Sequence, residues 1–137
     1  LATPLQMAMV VQTVGNGGVR MVPYITAKVL DEDGRVVEEA EPEEAGRVID
    51  RDSAEALAAM MRKVVEEGTG TAAALEGVSV AGKTGTAELD SGNLNQPWFT
   101  GFTDEFAVAV TVERVPGGTG GEVAAPIAKR VLEALGE

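Results

Sequence analysis

The sequence predicts an α/β chain of the α+β type, an antiparallel sheet with covering helices. Three observations lead there. From Val78 to Val112, three strand-like runs follow one another with links too short for a parallel crossover. Elsewhere, three segments carry apolar residues at helical spacing, two of them behind N-terminal start signals. Gly, Pro, Asn and Asp punctuate the boundaries, as they do in turns.

The first helix opens at Thr3-Pro4-Leu5-Gln6. Thr3 can cap, Pro4 suits the first helical position, and Gln6 can complete a capping box. Met7, Val10, Val11 and Val14 recur behind it, and a helix so apolar around its girth is expected to be buried. Gly15-Asn16-Gly17-Gly18 ends it. Val19 to Leu30 reads as extended, with Pro23 marking an edge or an irregular stretch. Asp31-Glu32-Asp33-Gly34 is a turn from which Arg35-Val36-Val37 returns as a short strand. Glu38 to Gly46 is acidic and poor in apolar residues, and is expected to be a solvated loop.

Asp50-Arg51-Asp52-Ser53 starts the second helix, with Asp52 and Glu55 at capping-box separation. Leu57, Met60, Met61, Val64 and Val65 form its expected buried stripe, and Gly68 its stop. Gly68-Thr69-Gly70-Thr71 then reads as a connecting loop. After the strand from Val78 to Glu88 comes a turn-rich link over residues 89–97. Trp98 to Phe102 begins the next strand, and Phe106 to Val112, nearly all apolar, is expected to be central and covered. Trp98 reads as a core anchor. Residues 116–121, rich in glycine, read as a flexible loop. Val123 to Leu135 is the last helix, with Ile127, Val131 and Leu135 lining one face beside Leu132 and Pro126 tolerated in the first turn.

Composition narrows the function. With 137 residues, 45% of them hydrophobic, the chain can bury a core. A net charge of −11 argues against nucleic acid or an anionic membrane as partner. The absence of cysteine and histidine removes the disulfide scaffold, the thiol nucleophile, the Ser-His-Asp triad and the usual zinc sites. No metal or cofactor site is expected, and the acidic stretch lacks any ligand spacing. No apolar run reaches the roughly 20 residues that span a bilayer, so this segment is expected to make no membrane contact.

Against this acidic background one stretch stands out, Ala81-Gly82-Lys83-Thr84-Gly85-Thr86-Ala87-Glu88. It places a cation and two hydroxyls along a strand, between glycines that let a ligand or another backbone come close. A carboxylate is the natural guest, because charge-assisted hydrogen bonds are about twice as strong as neutral ones. The same residues also spell the Walker pattern G-x-x-x-x-G-K-[ST] from Gly77 to Thr84, the mark of a P-loop nucleotide binder. That motif needs a strand before its first glycine and a helix after its lysine. Here the strand-like residues fall between the glycines, and Gly85-Thr86 stands where a helix should open.

Ala81 to Glu88 resembles the Lys-Thr-Gly strand of the penicillin-binding transpeptidases. Further segments resemble, in order, the final third of that domain: Thr3 to Ala8, Asn16-Gly17-Gly18, Gly68-Thr69-Gly70, Trp98 to Phe102 and Ala124 to Ile127. Residues 1–137 are thus expected to be the C-terminal portion of one transpeptidase domain. The parent is expected to be a membrane-anchored, extracytoplasmic enzyme that cross-links peptidoglycan, with stem peptides, β-lactams and cell-wall synthesis proteins as partners.

By this resemblance Lys83, Thr84, Gly85 and Thr86 bind substrate. Lys83 supplies positive charge, the hydroxyls of Thr84 and Thr86 hold the substrate carboxylate, and the Thr86 N–H is one of two oxyanion donors; Lys83 and Thr86 are the catalytic candidates. In a straight strand Lys83 points away from both threonines, so the three converge only if the strand twists or the lysine curls round. The family's nucleophile motif Ser-x-x-Lys is absent: none of Ser53, Ser79 and Ser91 stands in it. Ser91-Gly92-Asn93 spells the family's Ser-x-Asn on the wrong side of the lysine strand and reads as a turn. The chain alone is therefore expected to be inactive. A catalytically dead β-lactam sensor and a serine β-lactamase share these features.

Overall fold

The computed structural model describes residues 1–89 and 93–136. Helix α1 (Pro4–Gly15) begins as its sequence requires: the Gln6 N–H donates to Thr3 Oγ1 at 3.2 Å and the Thr3 N–H donates to Gln6 Oε1 at 2.9 Å. Its burial is one-sided. Val11, Thr13 and Val14 are buried, whereas Leu5 and Val10 are more than half exposed, so the expected all-round burial does not hold.

Four short strands follow, in two separate pairs. Strand β2 (Lys28–Leu30) and strand β3 (Val36–Glu39) form the hairpin read from the sequence, closed by Asp31 to Gly34 and held on its surface by a Lys28–Glu39 ion pair at 2.8 Å. Strand β1 (Val19–Met21) pairs instead with β4 (Glu44–Arg47), inside the stretch expected to be a solvated loop. Exposure was read correctly there, but pairing was not. The ladder is made by main-chain groups whose side chains stay wet, which leaves no apolar alternation to read.

Helix α2 (Arg51–Glu66) is capped by Asp50, not by Asp52: its carboxylate accepts the Ser53 N–H at 2.8 Å and the Ser53 hydroxyl at 2.8 Å. Ala54, Ala58, Met61 and Val65 form the buried stripe, while Leu57 and Met60 of the expected stripe face outward. Helix α3 (Ala125–Gly136) repeats the pattern, with Ala125, Ala128 and Leu132 buried and Ile127, Val131 and Leu135 partly exposed. In both helices alanines share the buried face with larger apolar residues, Met61 and Val65 in α2 and Leu132 in α3.

The main sheet runs β5 (Ala81–Glu88), β6 (Leu94–Phe102), β7 (Ala107–Thr111), antiparallel throughout, with the two-residue β8 (Val115–Pro116) beside the start of β6. The middle strand is β6, not the apolar β7. It begins at Leu94, four residues before the expected start, and carries Pro97 inside the ladder. A strand tolerates this proline because only one N–H is forfeited. The Pro97 carbonyl still accepts the Val112 N–H at 3.2 Å and the Thr111 hydroxyl at 3.1 Å, at the far end of β7.

One apolar cluster lies on each face of the sheet. Val11 and Val14 of α1, with Ala58 and Met61 of α2, pack on Ala81 and Phe102. On the opposite face Val65 of α2 joins Ala73, Val80, Phe99, Val108 and the inner side of α3. A helix that feeds both clusters must pass the sheet at an edge, and α2 passes it at β5.

The Asp50 cap generates a pH prediction. The Ser53 N–H, and then the Ser53 hydroxyl, hold the Asp50 carboxyl below its ordinary 3.8. A depressed folded-state value contributes stability that is complete above 3.8 and is lost as pH falls through the lower folded value. Asp50→Asn keeps an acceptor but removes the charge. Its unfolding curve, compared with wild type between about pH 2 and pH 6, should differ most at the upper end and converge at the acid end.

Candidate active site

The register of β5 on β6 decides which groups of the lysine strand face outward. Pro97 points its carbonyl toward β7, and residues two apart along a strand point their N–H and C=O groups the same way. Pro97 is opposite Thr86, and Phe99 is opposite Thr84. Thr84 and Thr86 therefore turn their main-chain N–H and C=O groups away from β6, to the outer edge of β5. Lys83, Gly85 and Ala87 turn theirs inward, to the ladder. Among the described residues no strand pairs with that outer edge.

Side chains alternate in the other sense. Lys83 and Gly85 lie on the α1 face, beside Trp98, Thr100 and Met7. Thr84 and Thr86 lie on the α3 face, in a hollow shared with Thr69, Thr119, Gly120 and Gly121. The lysine does curl round: its Nζ donates to the Thr84 carbonyl at 2.6 Å, at the outer edge. Ammonium, two hydroxyls and an outward N–H thus come together at one edge, and the convergence of Lys83, Thr84 and Thr86 is achieved without breaking the strand.

Each glycine has its own reason. The Phe99 ring, fully buried, lies across the facing pair Gly82 and Gly101; a Cβ at Gly82 would stand 2.3 Å from Phe99 Cζ, and one at Gly101 2.9 Å from Phe99 Cε1. Gly85 is not crowded in this way, since its nearest neighbour to a Cβ would be Trp98 Cβ at 3.4 Å. Trp98 itself is half-buried and walls the Lys83 side of the strand, leaving Phe99 as the core anchor.

The segment expected to be a flexible loop proves to be a fixed wall. The Gly117 N–H donates to the Asn93 carbonyl at 2.8 Å, Asn95 Nδ2 to the Gly118 carbonyl at 3.1 Å, and the Gly120 N–H to Thr86 Oγ1 at 3.3 Å. Gly120–Ala124 forms a π-helical turn that runs into α3. Pro126 is the second residue of α3, in the first turn where its missing N–H is tolerated. Gly120 lies on the main chain of β5 and β6: a Cβ there would fall 2.3 Å from the Trp98 carbonyl oxygen and 2.5 Å from that of Gly85. Gly121 abuts the Thr69 carbonyl, at 2.3 Å from a would-be Cβ.

Thr69 was also missed. Read as part of a connection, it sits where α2 ends, and its Oγ1 lies 2.6 Å from Thr84 Oγ1. The signal in the sequence is a pair of small-residue runs, Gly68-Thr69-Gly70 and Thr119-Gly120-Gly121, each mixing glycine with a hydroxyl. The Walker reading fails on geometry: Lys83 and Thr84 stand inside β5 rather than at a helix N-terminus, and the element just before Gly77 is a short 3-10 turn over Thr71–Ala73, not a strand. Ser91 and Gly92, of the apparent Ser-x-Asn, lie outside the described residues.

Residues 1–133 match the family model for the penicillin-binding protein transpeptidase domain. The chain belongs to the penicillin-binding transpeptidase family. It is 35% identical over 144 aligned residues to the peptidoglycan D,D-transpeptidase PbpA of Mycolicibacterium smegmatis, covering 96% of this chain and 29% of that protein. Among solved structures it is similar to penicillin-binding protein A of M. tuberculosis, determined as a ceftriaxone acyl-enzyme complex, with a TM-score of 0.88 and 32% identity over 96% of this chain and 32% of the other. The D,D-transpeptidase domain of a peptidoglycan glycosyltransferase from Eggerthella lenta superposes with a TM-score of 0.81 at 36% identity, covering 98% and 32%. The chain therefore spans about a third of each of these three proteins. Among the described residues, no helix of this transpeptidase segment is long and apolar enough to cross a membrane.

The wall formed by Gly120 yields a stability prediction. Gly120→Ala places a methyl against two carbonyl oxygens of the sheet, neither of which can swing aside as a side-chain tip can. Overpacking of this kind costs about 1–3 kcal/mol. Denaturant unfolding of wild type and variant measures it; an unchanged midpoint would show that the π turn does not rest on β5.

Proposed function

We propose that this chain is the C-terminal portion of a serine-type D,D-transpeptidase domain, and that it supplies the wall of the site that grips the substrate carboxylate. The single observation that carries the proposal is the convergence at the β5 edge of the Lys83 ammonium, the Thr84 and Thr86 hydroxyls and the outward Thr86 N–H. The domain as a whole acylates a serine with the penultimate D-alanyl carbonyl of a stem peptide, expels the terminal D-alanine, and passes the acyl group to an amine. β-Lactams acylate the same serine. The Thr86 N–H is one of the two donors to the oxygen that becomes negative at the acyl carbon, a role worth about 10²–10³ in rate. Lys83 raises the local potential for an anionic ligand on a chain that is otherwise strongly acidic.

The nucleophile is supplied from outside this chain, since none of its serines stands in Ser-x-x-Lys. The parent enzyme works on the extracytoplasmic face of the cell membrane, alongside other cell-wall synthesis proteins. Support comes from the family match and from relatives whose names give peptidoglycan D,D-transpeptidase activity and acylation by ceftriaxone.

Two measurements test this reading. Incubated with benzylpenicillin, the chain alone should gain no mass; a stoichiometric adduct on any of Ser53, Ser79 or Ser91 would overturn the assignment of the nucleophile elsewhere. In the complete enzyme, Thr86→Val retains the N–H and deletes the hydroxyl. About 1.5–3 kcal/mol of charge-assisted hydrogen bonding is then lost, so acylation by a carboxylate-bearing β-lactam should slow roughly 10–150-fold at about 1.36 kcal/mol per decade. A ligand without the carboxylate should be slowed much less. Equal slowing of both would assign Thr86 to strand geometry instead.

A further inference from the structure

We infer that Thr69 is a positioning residue for ligand binding at the lysine strand, acting through the hydroxyl of Thr84. The inference rests on the proposed carboxylate site and extends it to a residue outside the strand. Among the described residues Thr84 Oγ1 has one partner, Thr69 Oγ1, at 2.6 Å. Each hydroxyl has one proton to give and lone pairs to accept with. An anion at the β5 edge requires Thr84 to donate to it. The Thr84 oxygen can then only accept from Thr69, so the pair runs in one direction, from Thr69 to Thr84 to the carboxylate. Hydrogen bonds aligned in this way polarise one another, and the Thr69 donor also selects the Thr84 rotamer whose proton faces out.

The arrangement is built rather than incidental. Thr69 sits in the turn that ends α2, where the Gly70 N–H donates to the Val64 carbonyl at 2.9 Å. From the other side Gly121 abuts the Thr69 carbonyl, and its neighbour Gly120 lies on the β5–β6 backbone and donates to Thr86 Oγ1 at 3.3 Å. The Thr69 turn and β5 are thus held at a fixed separation by one pair of glycines. That Gly120 bond also leaves the Thr86 hydroxyl proton available for a ligand. Both threonines of the strand thereby receive a donor from behind and present a donor in front.

The test is acylation of the complete enzyme by benzylpenicillin and by its methyl ester, which lacks the anion. Thr69→Val should slow benzylpenicillin roughly 3–10-fold, the worth of one modest hydrogen bond, and slow the ester less than about 2-fold. Thr69→Ser, which keeps the hydroxyl, should restore the wild-type rate. In a Thr84→Val background the Thr69→Val change should add nothing further, because residues acting as one chain are not additive. Equal slowing of acid and ester, failure of serine to rescue, or full additivity with Thr84→Val would overturn the inference. Should Thr84→Val discriminate against the acid while Thr69→Val does not, this inference fails and the carboxylate site stands. Should Thr84→Val itself not discriminate, both fall together.

Discussion

One aromatic ring sets the geometry from which the rest follows. Phe99 lies flat across Gly82 and Gly101, two glycines that face each other on adjacent strands, and no side chain larger than hydrogen fits beneath it. The ring locks β5 to β6 in register, because a slip of one residue would put Lys83 or Ala81 under it and turn every side chain over. It also anchors the cluster that receives Val65, Ala73 and the inner face of α3. Register, in turn, determines which peptide groups of β5 look out. The outward Thr86 N–H is therefore a consequence of packing about 10–14 Å along the strand at the usual rise per residue, not of anything local to Thr86.

Pro97 and Gly120 complete this arrangement from opposite directions. Pro97 places a residue without an N–H opposite Thr86, at the point where the β6–β7 ladder ends, so its missing donor is lost at a ladder terminus. Gly120 brings the start of the last helix onto the sheet backbone itself. The strand is thus backed by a ring at one end and by a main-chain contact at the other, and Lys83 can bend to its own edge without displacing it. Rigidity here has a functional sense: donors held in place before a ligand arrives need no reorganisation when charge develops.

Much of this was legible in the residues. The Thr3-Pro4-Leu5-Gln6 start carries its own cap chemistry, and the Lys83 strand declares itself by two hydroxyls and a cation among small residues. The reading went astray at several points, each for its own physical reason. The α2 stripe was assigned to Leu57, Met60, Met61, Val64 and Val65 and the α3 face to Ile127, Val131 and Leu135 beside Leu132. Met61, Val65 and Leu132 are buried as expected, but Leu57, Met60, Ile127, Val131 and Leu135 face outward and Ala54, Ala58, Ala125 and Ala128 complete the buried faces. Strand β4 left no trace since its pairing uses only main chain. The Asp50 cap was misplaced by two positions, within the uncertainty of any helix boundary. Thr69 was legible only as the hydroxyl of a small-residue run: its meeting with Thr84 depends on α2 passing the edge of the sheet, a tertiary fact.

An open strand edge also carries a hazard. Unpaired N–H and C=O groups will accept any extended chain, including the edge of a second copy, and natural sheets blunt such edges with short runs and with charge. Strand β5 meets the second condition. Glu88 ends it with a carboxylate, and Lys83 Nζ already occupies the Thr84 carbonyl. On the proposed function, the ammonium is then a gatekeeper as well as an attractant. A foreign strand must displace it and leave it buried, whereas a ligand bearing its own anion meets it as a partner. In the proposed site, selectivity against self-association and selectivity for charge come from the same side chain.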